Sequence, residues 1–132
     1  MNRLKFLKFW SVAVGSMDAV TGLLLIFVPA LVLKLLGIEP PSSDALVFLS
    51  WMGVFIAGVG LSYGMALGNR SRGETVWAFT AMIRILVAVF LTIRILDGTL
   101  AVNWGLVGVC DGVVGLSQIV ILRLGWWKEA AE

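Results

Sequence analysis

The stretch TVWAFTAMIRILVAVFLTIRIL, residues 75–96, decides the fold of this chain. It carries one charged residue, Arg84, near its centre and a second, Arg94, close to its end. A helix needs roughly 20 mostly apolar residues to cross the hydrocarbon core of a bilayer, which is about 30 Å thick. Only a helix pairs all the backbone N–H and C=O groups of such a stretch within itself. The sequence therefore predicts a transmembrane helix over residues 75–96.

Three further apolar stretches meet the same requirement, at residues 8–28, 45–68 and 100–124. The 132-residue chain is 60% hydrophobic and only 14% charged. A soluble domain of this size buries too little of its surface to hide so many apolar side chains, whereas lipid accepts them. We therefore predict one all-α domain over residues 1–132, an integral membrane four-helix bundle.

The segment PALVLKLLGIEPP, residues 29–41, follows the first predicted span. Its apolar residues and Lys34 favour a short helix in the membrane interface, which Gly37 and the Pro40–Pro41 pair would end. A Pro-kinked continuation of the first span is the alternative.

The basic residues predict the orientation of the bundle. Seven of the ten Lys and Arg residues flank the same ends of the predicted spans, namely Arg3, Lys5, Lys8, Arg70, Arg72, Arg123 and Lys128. Basic residues close to membrane spans concentrate on the cytoplasmic side. We expect a multi-pass protein of the cell membrane with both termini in the cytoplasm.

All six tryptophans lie near the ends of the predicted spans. The indole ring favours the headgroup level, where the ring is buried and its N–H is hydrated. We therefore expect these six side chains to mark the membrane interfaces: Trp10, Trp51, Trp77, Trp104, Trp126 and Trp127.

Small residues recur every three or four positions in three of the spans. Such spacing lets helix backbones approach closely within a bilayer. The predicted packing positions are Gly15, Gly60, Gly64, Gly108 and Gly112. The pattern leaves open whether these contacts form within one chain or between subunits.

Three charged residues lie near the centres of different spans, namely Asp18, Arg84 and Asp111. An ionisable group at this depth is costly and usually faces the bundle interior, a partner or water. We expect Arg84 to bridge both aspartates, with Tyr63, Gln118 and Thr80 as candidates to complete the site. The cluster either joins the helices structurally or lines a ligand or ion pathway, and an oligomer interface is a third interpretation.

The composition limits the chemistry of the site. The chain has no histidine and one cysteine, Cys110, so haem ligation, a zinc site and a histidine base are largely excluded, and we predict neither a metal nor a cofactor. The net charge of +2 and the lack of a long basic run argue against nucleic acid.

Three functions fit these residues. The first is a non-catalytic membrane protein, which binds a lipid-like ligand or a membrane-protein partner or serves as an accessory subunit. The second is a proton-linked transporter or channel that uses Asp18, Arg84 and Asp111. It would be a homo-oligomer, since four helices enclose little lumen. The third is a lipid-modifying membrane enzyme with an aspartate as acid or base.

The chain resembles the DoxX-like group of small four-helix membrane proteins along nearly its whole length. The resemblance rests on FVPALVLKLLGI at residues 27–38, on RILDG at residues 94–98 and on an acidic residue in the last span. It implies a four-helix fold and points to Arg84 or Arg94, Asp97 and Asp111. Members of that group include an oxidoreductase subunit and proteins that assist membrane-protein assembly or export.

Overall fold

The computed structural model describes residues 1–130, and every regular element in that part of the chain is helical. Four long helices form the bundle, and short helices lie between or after them. The helices are α1 (Arg3–Phe27), α2 (Pro29–Leu35), α3 (Ser43–Ser62), α4 (Met65–Gly68), α5 (Arg70–Leu96), α6 (Gly105–Arg123) and α7 (Trp126–Glu129), with a 3-10 turn at Val102–Trp104. The prediction of an all-α four-helix bundle is confirmed.

Four parts of the chain are long and apolar enough to cross a membrane. They are Arg3–Phe27, Ser43–Gly68, Arg70–Leu96 and Val102–Arg123. These four segments indicate a membrane protein.

Two of the long helices, α1 and α5, begin five residues before the predicted spans do. The side chain of Asn2 accepts a hydrogen bond from the backbone N–H of Lys5 at 2.9 Å, so α1 begins at Arg3. At the start of α5, the side chain of Asn69 accepts a hydrogen bond from the backbone N–H of Arg72 at 3.3 Å. Asparagine is a favoured N-cap because its side chain satisfies a free N–H of the first turn. Hydropathy marks the apolar part of each helix, whereas these caps mark where hydrogen bonding begins.

The segment after α1 forms a separate helix, α2. Val28 leaves the helical conformation, with φ −138° and ψ 54°, and Pro29 occupies the first position of α2. The helix ends at Leu35, and Gly37 follows with a φ of +71°, which glycine readily adopts. The backbone N–H of Ile38 then donates to the carbonyl of Leu33 at 2.9 Å. This is the hydrogen bond of a Schellman C-cap.

The second apolar stretch is not one continuous helix. It ends as α3 at Ser62, passes through Tyr63 and Gly64, and resumes as α4. At this break the backbone N–H of Tyr63 bonds to the carbonyl of Gly60 at 3.3 Å, an i to i−3 contact. The break places Tyr63, which is only 1% exposed, at the end of a long helix rather than within one.

The bundle consists of two helix pairs, α1 with α3 and α5 with α6. Glycines bring α1 and α3 into backbone contact. A Cβ atom added to Gly22 would lie 2.6 Å from the carbonyl oxygen of Gly53, and one added to Gly15 would lie 2.8 Å from that of Gly60. Both distances are too short for a side chain, so glycine is required for this approach.

The other predicted packing glycines have more space. Added Cβ atoms at Gly108 and Gly112 would meet side-chain atoms of Leu91 and Ala88 on α5 at 3.6 and 3.7 Å, which is ordinary contact. At Gly64 the nearest atom belongs to the preceding turn of the chain, the carbonyl oxygen of Leu61. Gly64 therefore serves the turn after α3 rather than a contact between helices.

The core lies toward one end of the bundle, which we call the terminal end because it brings the start of α1 and the C-terminal α7 together. An ion pair between Arg3 and Glu129 joins these two segments. The core residues come from α1, α4, α5, α6 and α7 and from Tyr63, directly after α3. They are Leu7, Val14, Tyr63, Ala66, Val76, Trp77, Ile121 and Trp127. At the opposite end, which holds α2 and the link after α5, the side chain of Asn103 donates to the carbonyl of Leu36 at 2.8 Å.

Two tryptophans lie in this core instead of facing outward. Trp77 is 0% and Trp127 is 2% exposed, and their rings pack edge to face with centroids 5.6 Å apart. Trp127 also lies directly against Gly73 of α5, where any larger residue would collide with its ring. The prediction that all six tryptophans face the headgroups is wrong for these two, because protein contacts rather than lipid surround them.

Candidate functional site

The three central charges form one cluster between α1, α5 and α6. Arg84 donates from Nη2 to Oδ2 of Asp18 and from Nη1 to Oδ1 of Asp111, both at 2.5 Å. Hydrogen bonds between two ionised groups are short and strong. The guanidinium thus bridges both carboxylates, as the common depth of the three residues predicted.

Burial differs among the three side chains. The side chains of Arg84 and Asp18 are 4% and 10% exposed, whereas that of Asp111 is 20% exposed. With both aspartates ionised, the cluster carries one excess negative charge. Asp111 is the member that solvent or a ligand reaches most readily.

Tyr63, Gln118 and Thr80 extend the cluster into one hydrogen-bonded network. The Nε of Arg84 lies 3.5 Å from the hydroxyl of Tyr63, and that hydroxyl donates to Oε1 of Gln118 at 2.8 Å. The Nε2 of Gln118 donates to Oγ1 of Thr80 at 3.0 Å. All six residues singled out for a polar site are therefore connected.

The network ends on the backbone of α5. Thr80 donates to the carbonyl of Val76 at 2.8 Å, and Gln118 also donates to the carbonyl of Trp77 at 3.3 Å. Within residues 1–130, the only buried side-chain nitrogen or oxygen atoms without a partner are the indole nitrogens of Trp10 and Trp127. Every buried polar atom of the six-residue network is therefore satisfied.

The same spacing on three helices explains the network. Ser11 and Asp18, Trp77 and Arg84, and Asp111 and Gln118 are each seven residues apart. Seven residues are almost two helical turns, so both members of each pair lie on one face. The three pairs form two layers, one that holds the charges and one nearer the terminal end.

The layer near the terminal end contains a contact that the sequence did not predict. The indole N–H of Trp77 donates to Oγ of Ser11 at 2.9 Å, which links α5 to α1 a second time. Ser11 in turn donates to the carbonyl of Leu7 at 2.8 Å. The sequence held one signal for this contact: Trp77 lies on the same helix face as Arg84, which indicates that its ring faces the bundle interior.

Gly115 allows Arg84 to lie between α5 and α6. A Cβ atom at this position would lie 3.1 Å from the Cβ atom of Arg84 and 3.3 Å from the carbonyl oxygen of Ala81. The glycine faces α5 between Asp111 and Gln118. The absence of a side chain here leaves room for the stem of the arginine.

Two surface grooves run between α5 and α6, away from the polar network. The larger has a volume of about 470 Å³ and lies in the half nearer the terminal end, with Arg123 among its lining residues. The smaller, of about 180 Å³, lies in the other half and has no charged residue in its lining. None of the six network residues lines either groove.

Asp97 and Thr99 form a separate polar turn after α5. Arg94 donates to Asp97 at 3.3 Å, and the hydroxyl and the backbone N–H of Thr99 donate to its other oxygen at 2.5 and 2.9 Å. The hydrogen bonds from Thr99, with a smaller contribution from Arg94, hold the pKa of Asp97 below its ordinary value. The turn is exposed, as expected for a solvated ion pair at the end of a span.

The part of the chain that the structure describes offers no cluster of three or more His, Cys, Asp or Glu side chains that could hold a metal ion. Comparisons of the chain with protein-family models, curated proteins and solved structures found no match. The resemblance to the DoxX-like group stays a prediction.

Proposed function

We propose that this protein is a non-catalytic membrane module that binds a lipid-like ligand or a membrane-protein partner on its outer surface. The observation that carries this proposal is the closed polar network. Each buried polar atom of the six-residue network bonds to another group of the protein. The buried atoms that hold the helices together are not free to bind a substrate, so we place the binding surface outside the bundle interior.

The energetics of the network favour a structural role. Removing one partner of a buried ion pair leaves an unpaired charge in a medium of low dielectric constant, at a cost of about 3–5 kcal/mol. The Arg84 pairs connect α1 to α5 and α5 to α6, and Tyr63 adds the end of α3 through Gln118. The network thus joins both helix pairs, which otherwise share contacts mainly at the terminal end.

We further propose that the four spans lie in the cell membrane with the terminal end in the cytoplasm. Arg3, Arg70 and Arg123 mark this end on three of the long helices. The excess of basic residues there is the pattern expected of cytoplasmic loops.

The binding proposal is tested by native mass spectrometry of the protein purified in a mild detergent. We expect one lipid or one membrane-protein partner bound at the same ratio in independent preparations and after repeated detergent exchange. Adventitious lipid serves as the control, because its ratio falls with each exchange. A chain free of bound lipid and protein in every preparation would contradict the proposal.

A second candidate function is proton-linked transport by a homo-oligomer. The observation that favours it is the combination of two carboxylates on one guanidinium with the partial exposure of Asp111, whose side chain is 20% accessible. Intramembrane carboxylates of this kind mark proton and ion pathways in transporters.

Proteoliposomes loaded with a pH-sensitive dye distinguish the two functions. Transport predicts proton flux that Asp111→Asn abolishes and Asp97→Asn, on the exposed turn, leaves intact. A flux equal to that of protein-free liposomes would exclude the transport function and leave the binding module.

A further inference from the structure

The larger groove between α5 and α6 is built as a slot in the outer surface. Ala78 and Ala81 supply small side chains on α5, and Ile85 and Leu86 continue the lining along the same helix. Ile119 of α6 lies on the other side. The volume of the groove, about 470 Å³, is within the range of roughly 300–1,000 Å³ that small-molecule sites have.

The length of the groove matches one leaflet of a bilayer. Ala78 and Leu86 are eight residues apart on α5, which is about 12 Å along a helix. Half of a hydrocarbon core of about 30 Å is about 15 Å. The groove therefore extends from just beyond the depth of Arg84 into the acyl region of the leaflet that faces the terminal end.

Arg123 gives the groove a charged end. It is the last residue of α6, it is exposed, and it is the only charged residue that lines the groove. Within residues 1–130, no carboxylate forms a salt bridge with it. The smaller groove has no charged residue in its lining, so the two grooves differ in the chemistry of their ends.

We propose that the larger groove holds one acyl chain of an anionic phospholipid, with the lipid phosphate bound by Arg123. The apolar slot accepts the chain, and the guanidinium presents paired N–H donors that match phosphate oxygens. The occupant belongs to the leaflet in contact with the terminal end. This proposal rests on the proposed binding function and names the ligand class and its site.

The test is a competition between two lipids with identical acyl chains, phosphatidylglycerol and phosphatidylcholine. The full chain is released from nanodiscs that contain both lipids in equal amounts, and native mass spectrometry counts the retained lipids. We expect one phosphatidylglycerol per chain in preference to phosphatidylcholine. Arg123→Gln should reduce this preference about fivefold, as expected for the loss of one basic residue near an anionic lipid.

Two matched controls separate the site from general effects. Arg72→Gln removes an equal charge at the terminal end without touching the groove. Ala78→Leu fills the groove, so the chain should retain neither type of lipid. Ala13→Leu makes the same change at an exposed position of α1 and should leave lipid retention unchanged. Thermal unfolding of each variant confirms that the fold is retained.

Several outcomes would overturn the proposal. If Arg72→Gln and Arg123→Gln reduced the preference for phosphatidylglycerol equally, the anionic lipid would be attracted to the basic end in general and not bound by Arg123. Retention of lipid by Ala78→Leu would place the lipid elsewhere, and a change in oligomeric state with Ala78→Leu would assign the groove to a second copy of the chain. If wild type retains no lipid but holds a protein partner at fixed ratio, this site fails while the binding function stands. If wild type holds neither a lipid nor a protein partner, both this site and the proposed binding function are excluded.

Discussion

At the scale of single residues, Arg84 has the largest consequences. Among residues 1–130, its guanidinium is the only group that hydrogen-bonds to both Asp18 and Asp111, and its Nε lies near the hydroxyl of Tyr63. Its position at the centre of the bundle follows from counting residues along an apolar helix. Its partners follow from the same count, because all three charges lie at a common depth.

Replacing Arg84 by glutamine should destabilise the protein by about 3 kcal/mol or more, because both aspartates lose their counter-charge in a buried site. Thermal unfolding in detergent measures the loss. Arg94→Gln is the matched control, since its ion pair with Asp97 is exposed and such pairs contribute little to stability.

A triple variant tests whether the unpaired aspartate charges cause the loss of stability in Arg84→Gln. Asp18→Asn and Asp111→Asn added to Arg84→Gln remove every charge of the cluster, so part of the stability should return. Triple and single variants of equal stability would show that charge pairing is not what holds these helices.

Asp97 should make the turn after α5 sensitive to acid. Its pKa is lower in the folded protein than its ordinary value because Thr99 and Arg94 bond to the charged form. Such a group contributes stability at pH values above its ordinary pKa, about 3.9 for aspartate, and the contribution is lost as the pH falls through the lowered value.

Titration of wild type and Asp97→Asn by NMR or thermal unfolding checks this behaviour. The difference between the two proteins should be full near neutral pH and disappear once the pH has fallen below the lowered pKa of Asp97. A difference that persists unchanged in acid would show that the carboxylate charge of Asp97 is not involved.

At the scale of elements, the α1–α3 pair depends on glycine more than the α5–α6 pair does. Gly22→Ala should destabilise the protein by about 1–3 kcal/mol, because the new methyl group meets backbone atoms of Gly53 and Ala57 that cannot move aside alone. Circular dichroism during heating measures the change.

Gly58→Ala is the matched control on the neighbouring helix. Nothing lies within 4 Å of a Cβ atom added there. Alanine should raise stability by about 0.5–1 kcal/mol, since glycine is the poorer helix former. Equal destabilisation by both changes would mean that α1 and α3 do not approach through Gly22.

The elements also show which parts of the fold the sequence could predict. Length and hydropathy identified the four long helices, since those properties depend on each stretch alone. The break at Tyr63 and the inward rotation of Trp77 depend on which neighbours each helix meets. The break brings Tyr63 to Gln118, and Trp77 rotates toward Ser11, so both required the packed bundle.

At the scale of the whole molecule, the two ends of the bundle differ. The terminal end holds most of the core and the basic residues, whereas the opposite end carries α2 and the turn after α5. The sequence predicted the difference in charge between the two ends, because basic residues can be counted at the ends of each span. It did not predict the uneven core, because hydrophobic residues are spread along every span.

The proposed orientation can be tested with single cysteines in a Cys110→Ser background. Ser42→Cys, before α3, should react with a membrane-impermeant reagent added outside intact cells, because it lies at the opposite end. Ser71→Cys, at the start of α5, should react only after the membrane is opened. The reverse pattern would place the terminal end outside.

The network also has a consequence for the order of events during synthesis. Asp18 belongs to α1, which is synthesised before α5, and its partner Arg84 follows 66 residues later. At about 5–20 residues per second, the arginine is made roughly 3 to 13 s after the aspartate. Over that interval α1 carries an acidic side chain without this counter-charge. Because an ionisable side chain is costly in the hydrocarbon core, we expect α1 to be sheltered from lipid until α5 arrives.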